Sequence, residues 1–408
     1  MCLIDCGRPK AGVHFGRGRF SLLLSRAIMV LEVSASVKGQ REVATYAGSA
    51  VRQAATRLPF LDFLRALASQ LIVWHHLVFY GPLPVAVYPI APRLIDWLID
   101  YARMAVQVFF VLGGFFTARS LARAKIMSPQ FLIGMIGQRY RRIGVPYLVT
   151  LLLAIAANAL ARRWMNHDAI SEPPTVGQLL AHAAFLHDIL GYQALTAGIW
   201  YLAIDFQLFL LFLLTFAGAQ AWLKRRGEAS ADQVMNLVLK ILVPLALASL
   251  FWFNRHPRFD AWAIYFVGSY FLGIVLQRVV EQRLKLSLGV SYLALVLVAA
   301  VVDPRPRLLV AVSTAVIVFA AERFGILQQW PRNRVVNYFG RISYSLFLIH
   351  FPVLLVVNAW GVQRFTTSAG MAALGIGVAY GLSLLAGAAL YHGVESRLRE
   401  AKAVFRIA

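Results

Sequence analysis

The feature that most constrains this chain is a series of apolar stretches, each about 20 residues long, that recur from Leu58 almost to the C-terminal end. A hydrocarbon core offers no water to backbone N–H and C=O groups, so a segment inside it must be a helix or part of a closed barrel. A barrel would show short alternating segments, whereas these runs are continuous. Charged residues make up 14% of the chain, apolar ones 60%, and the mean hydropathy is +0.67. A soluble domain would carry about 25% charged residues. The sequence therefore predicts an all-α polytopic integral membrane protein with about ten transmembrane helices. Their expected limits are 58–80, 101–122, 143–162, 198–222, 236–254, 261–279, 286–302, 306–322, 338–358 and 370–392. The half-apolar stretch 176–192, with His182, His187 and Asp188, is expected to be a loop, surface helix or re-entrant segment.

The net charge of +22 does not point to nucleic acid, because the basic residues lie between apolar spans and form no separate domain. Lys and Arg accumulate in cytoplasmic loops of membrane proteins. Arg123, Lys125, Arg139, Arg141 and Arg142 fall in one connection without an acid, and Arg323, Arg332 and Arg334 in another. Lys224, Arg225 and Arg226 face Glu228 and Asp232, and Arg283 and Lys285 face Glu281. The alternate connections are poorer in base: 81–100 has Arg93 against Asp96 and Asp100, and 359–369 has only Arg364. This alternation places both termini in the cytoplasm. Residues 1–57 hold nine Lys/Arg and three Asp/Glu and read as a basic, poorly ordered or surface-lying cytoplasmic tail, with Met29 as an alternative start. Residues 58–400 form the transmembrane domain and 401–408 a short tail. The two cysteines, Cys2 and Cys6, have no second pair or His cluster nearby, so they define neither a metal site nor a disulfide framework.

The first apolar stretch, "DFLRALASQLIVWHHLVFYG", carries Asp62, Arg65, His75 and His76. An ionisable side chain at mid-membrane costs at least about 2.5–3.5 kcal/mol, so such residues face a cavity or a partner. At about 100° per residue Arg65 and His76 fall within about 20° of one face, about 16 Å apart along the axis. Asp62 and Ser69 share that face, and His75 does not. One reading pairs Asp62 with Arg65 near the cytoplasmic end and leaves His76 at the outer surface. The other makes His76 a general base, reached through a polar groove, since an imidazole titrates near neutrality.

Several motifs then occur in order. Ten residues separate Arg65 from His76 in "FLRALASQLIVWHH". "VFFVLGGFF" spans 108–116, "QRYRRIGVPYL" 138–148, "IWYLAIDFQLFLLF" 199–212 and "GRISYSLFLIHFP" 340–352. Together they resemble the membrane acyltransferase-3 family, the bacterial inner-membrane O-acyltransferases that modify carbohydrates. The resemblance covers about 58–400. It selects His76 over His75, in agreement with the helical face, and it matches Arg139 and Arg142 to the family's Arg-x-x-Arg helix entry. Gly113 stands where the family has serine, Asp205 where glutamate is usual, and "VESRLRE" at 394–400 lacks the usual proline.

The resemblance implies transfer from cytoplasmic acyl-CoA, with acetyl-CoA as the default donor, to a hydroxyl of a cell-surface or exported carbohydrate or glycolipid. It implies no metal and no nucleic-acid partner; membrane lipid surrounds the protein. His76 is the expected catalytic base. Asp205 either orients its imidazole or pairs with an arginine. Arg139 and Arg142 suit the phosphates of coenzyme A in bidentate geometry, a reading the resemblance favours over ordinary cytoplasmic-side arginines or contacts with lipid headgroups. Arg65 positions the donor or pairs with Asp62. Ser343, Tyr344 and His350 are expected to line a cavity or support packing, and His182 and His187 to lie in a solvated outer loop. No nucleophile-elbow motif occurs, so direct transfer is simpler than an acyl-enzyme. The competing class is a solute transporter, against which no repeat or pair of broken helices is visible. A scaffold without chemistry is a third.

Overall fold

The computed structural model describes residues 58–122, 128–227 and 230–398. The tail 1–57 with Cys2, Cys6 and Met29, the loop residues Arg123, Lys125 and Glu228, and the end 399–408 lie outside the described residues, so both termini do as well. Every regular element among the described residues is helical. The order begins α1 (Pro59–Phe79), α2 (Pro82–Val87), α3 (Pro92–Asp100), α4 (Val106–Leu121), α5 (Pro129–Ala161) and α6 (Val176–Ala183). It continues α7 (Ile199–Lys224), α8 (Ala231–Phe251), α9 (Val267–Val280), α10 (Leu286–Val302), α11 (Pro306–Arg323), α12 (Arg334–Phe365) and α13 (Ala369–Leu390), closed by a π-turn, Tyr391–Glu395. Several helix starts are written locally. Ser128, Asn333 and Ser368 accept backbone N–H groups in the first turns of α5, α12 and α13, and Ser230 and Gln233 form a capping box on α8.

The expectation of about ten spans is corrected. Six helical segments are long and apolar enough to cross a membrane: Pro92–Leu121, Pro129–Ala161, Ile199–Lys224, Ala231–Arg255, Arg334–Phe365 and Ala369–Leu398. The count reaches seven if α1 and the following Pro82–Ile90, bent by 86°, form one span. The expected spans at 261–279, 286–302 and 306–322 fail for separate reasons. α9 has only 14 residues, a rise of about 21 Å against a core about 30 Å thick. Its apolar side chains are used inside the protein, since Val267 through Arg278 are all buried. α10 is 17 residues long, and α11 carries Arg307, Glu322 and Arg323 within its 18. Hydropathy reads how apolar a segment is. It cannot separate a helix packed among helices from one that faces lipid. The result is a multi-pass, all-α membrane-type fold.

Two packing devices position the interior. Where α4 crosses α9, glycines let the backbones meet. A Cβ on Gly114 would lie 2.0 Å from the Tyr270 carbonyl oxygen, and one on Gly273 1.9 Å from that of Val111. Small residues serve this purpose in membrane helices. The second device is the bend after α1. Gly81 has φ +95°, and a Cβ there would lie 2.4 Å from Asn358 Oδ1, so only glycine fits. Asn358, 1% exposed, accepts the Leu83 N–H at 3.2 Å and donates to the Leu354 carbonyl, which fixes the bend against α12. α12 packs on α13, α1 and α5, with 78% of its apolar window buried against 33% for the last span. The most enclosed of the six long spans is thus the one that carries His350.

Candidate active site

α1 delivers His76 near its C-terminal end, and α12 delivers His350 opposite it. His76 is 7% exposed and His350 fully buried. His76 Nδ1 lies 2.6 Å from His350 Nε2, with the two rings parallel within 4°. On its other side, His350 Nδ1 lies 3.2 Å from the Leu346 carbonyl oxygen. A carbonyl only accepts, so the proton of neutral His350 sits on Nδ1 and its Nε2 accepts. His76 must then donate from Nδ1, which leaves the Nε2 of His76 with a bare lone pair. That nitrogen has no hydrogen bond among the described residues and is not among the occluded polar atoms, so it remains accessible. The arrangement matches the orienter–imidazole half of a catalytic triad, with a histidine where a carboxylate is familiar.

The neighbours of the dyad follow from α7 and α3. Gly198 precedes α7 with φ +82°, and a Cβ there would come within 3.4 Å of His76 Cε1 and 3.2 Å of Phe347 Cζ. No side chain caps α7, and its Tyr201 N–H bonds the Gly198 carbonyl at 3.3 Å, which leaves the N–H groups of Ile199 and Trp200 without a bond among the described residues. His75, off the face that carries His76, hydrogen-bonds the Leu98 carbonyl at 3.0 Å and stacks on Phe79. It ties α3 to α1 next to the dyad.

Asp205 and Arg139 meet at a second point, about 10 Å further along α7. Asp205 Oδ2 receives the Arg139 guanidinium at 2.5 Å, with side-chain exposures of 6% and 19%. Of the two roles left open for Asp205, the structure places it on an arginine. Arg139 also lies over Phe209, 5.1 Å from the ring centroid. Asp205 Oδ1 and Arg139 Nε are buried without hydrogen-bond partners among the described residues. Gly113 explains its own departure from serine: a Cβ there would meet Asp205 Oδ1 at 2.8 Å and the Tyr270 ring at 3.0 Å. Tyr270 is held by Thr117 at 2.6 Å. Arg142, one turn beyond Arg139 on α5, is exposed. Arg65 and Asp62 approach at 4.0 Å, and Ser69 is buried with its hydroxyl on the Ala66 carbonyl. The stripe expected along α1 is therefore present in register, but it is not an open groove.

Sequence reasoning missed the partner of His76. His350 lies 274 residues away, and its motif was read as lining or packing. The α6–α7 connection also departs from expectation. His182 and His187 are fully buried and stacked, 4.1 Å between centroids, with Tyr147 on His182 at 2.8 Å. Burial pushes His182 down to about 4 and His187 down to about 3, and raises Asp188 to about 6.

With this geometry in place, the chain can be compared with known proteins. A family model described as an acyltransferase domain, that of the membrane acyltransferase-3 family, matches residues 58–392. The chain belongs to this family. The match spans the transmembrane part and includes the dyad and the ion pair, so this member of the acyltransferase-3 family is a membrane acyltransferase. No curated protein and no solved structure matches the chain.

Proposed function

We propose that this acyltransferase moves an acyl group, acetyl by default, from cytoplasmic acyl-CoA to a hydroxyl of a cell-surface or exported carbohydrate or glycolipid, in a bacterial inner membrane. His76 Nε2 takes the proton of the acceptor hydroxyl as its oxygen attacks the thioester carbonyl carbon. The carbon–sulfur bond breaks, and His76 returns the proton to the leaving thiolate, giving free coenzyme A. While His76 is an imidazolium, its Nδ1–H remains on His350 Nε2, which stabilises the charge and holds the ring. The Ile199 and Trp200 N–H groups at the start of α7 are the donors offered to the developing oxyanion. Arg142 and Arg139, one turn apart, face the donor's phosphates, with Arg139 shared with Asp205. Arg65 positions the donor from α1.

The observation that carries this reading is the hydrogen-bond order from the Leu346 carbonyl through His350 to His76, which leaves one accessible basic nitrogen in an apolar interior. The test is purified protein incubated with radiolabelled acetyl-CoA and a crude surface-glycan extract. Label covalently bound to glycan supports the reading. Uptake of a solute into vesicles without chemical change, and no labelled glycan, would establish transport instead.

A further inference from the structure

The dyad and the Arg139–Asp205 pair are separated by rings. Phe109 of α4, Tyr201 of α7 and Phe347 of α12 all touch one another. Their centroids lie 5.4 Å apart for Phe109–Tyr201, 6.2 Å for Phe109–Phe347 and 5.9 Å for Tyr201–Phe347, the last edge-on at 86°. Along α7 the order is Gly198 against His76, then Tyr201, then Asp205 on Arg139. Along α12, Phe347 lies one turn from His350, with centroids 6.3 Å apart. Both helices thus place the rings between the two polar groups. The three rings are not simply core. Phe109 and Tyr201 are only half-buried, and among the described residues the Tyr201 hydroxyl has no hydrogen-bond partner. Two of the three rings are thus partly exposed at the level between the dyad and the ion pair.

We propose that these three rings form a closed gate on the donor's path, and that they part around the arm joining the thioester to the phosphates of acyl-CoA. This inference rests on the acyl-transfer reading above. A donor whose phosphates stay near Arg142 must extend a narrow, partly apolar chain past this level to bring its carbonyl to His76. Ring faces suit the methylene and methyl parts of such an arm, and the free Tyr201 hydroxyl suits one of its amides. Without the donor the rings close on each other and keep the two ends of the passage apart. Phe109 comes from α4, which carries neither the dyad nor the ion pair, so a shift of α4 or a turn of the rings opens the gate while both polar groups stay intact.

The test compares acetyl-CoA with S-acetyl-N-acetylcysteamine, which keeps the thioester but lacks most of the arm. Wild type, Phe109→Ala and Phe347→Ala are assayed for thiol release, and each is reconstituted in vesicles to measure proton leak. The gate predicts that the preference for acetyl-CoA, as a ratio of kcat/KM, falls at least tenfold in both variants, and that proton leak rises. A ratio within twofold of wild type in both overturns it. Phe109→Leu, a smaller change at a half-buried position, guards against misfolding and is expected to give an intermediate ratio. For any variant without turnover the leak decides: tightness equal to wild type overturns the gate. If wild type neither binds nor turns over acetyl-CoA, the acyl-donor reading has failed. A leaky Phe109→Ala in that case retains the gate as a barrier to some other permeant, while tight vesicles remove both.

Discussion

Replacing His350 separates the role of the dyad from that of either histidine alone. His350→Phe keeps a ring of similar size but removes the acceptor for His76 Nδ1. The structure sets the magnitude. The bond is 2.6 Å long between two buried rings, and no other acceptor for Nδ1 is present among the described residues. A buried donor left unsatisfied costs about 1–3 kcal/mol. If that cost falls on the reactive orientation, kcat drops by about 5- to 150-fold. The alternative for His76 is to turn its proton to Nε2, which removes the base and costs more. His350→Gln, whose amide oxygen can accept, is expected to recover part of the loss. The assay is thiol release from acetyl-CoA at saturating donor, with donor binding measured separately by thermal shift. The expected pattern is a loss in kcat with binding within about threefold of wild type, graded Phe worse than Gln. His350→Phe with kcat unchanged within twofold would refute the reasoning.

Four further outcomes follow. Asp205→Leu leaves Arg139 as an uncompensated buried charge, at a cost of about 3–5 kcal/mol, while the double change Arg139→Leu/Asp205→Leu recovers most of it; denaturation of all three proteins in one detergent gives the coupling, and strictly additive losses would contradict the pair. Gly273→Ala drives a methyl into the Val111 carbonyl and is expected to cost at least about 1–3 kcal/mol, read as a lower Tm; a variant as stable as wild type would contradict the close crossing. Asn358→Ala frees the Leu83 N–H at the bend after α1, and faster amide exchange over 80–90 checks it. The α6–α7 connection loses protection as pH falls. In the unfolded chain His182 and His187 bind protons below about 6.5, whereas in the fold they stay neutral down to about 4 and about 3. Asp188, raised to about 6, binds a proton in the fold before it would unfolded and offsets part of this. Two histidines outweigh one carboxylate, so the protection factor of amides 184–198, taken against the intrinsic exchange rate at each pH, should fall between pH 6.5 and about 4, and a protection factor independent of pH would contradict it.

Sequence periodicity revealed some of these features and hid others. The class of fold was legible because long apolar runs have few physical solutions, and the Arg65–His76 register held on α1. The number of spans was not legible. α9 is as greasy as a lipid-facing helix, yet it spends that surface on α4 through Gly114 and Gly273, a contact that depends on tertiary proximity. His76 stood out because a charge in an apolar run is locally anomalous. His350 sits in an equally apolar run and was visible too, but nothing local says that two histidines from opposite ends of the chain share a proton. Gly113 and Asp205 looked like two separate departures from the family pattern. In space they are one, because the carboxylate occupies the volume that a side chain at 113 would need. Phe109, Tyr201 and Phe347 gave no signal, since aromatic residues are common in every span.

The most direct test of His76 as the base is the titration of acetyl-CoA into purified wild type and His76→Ala, with free thiol followed in parallel. The account predicts that both bind the donor with similar affinity and that only wild type releases thiol. Turnover by His76→Ala at a rate near wild type would contradict it.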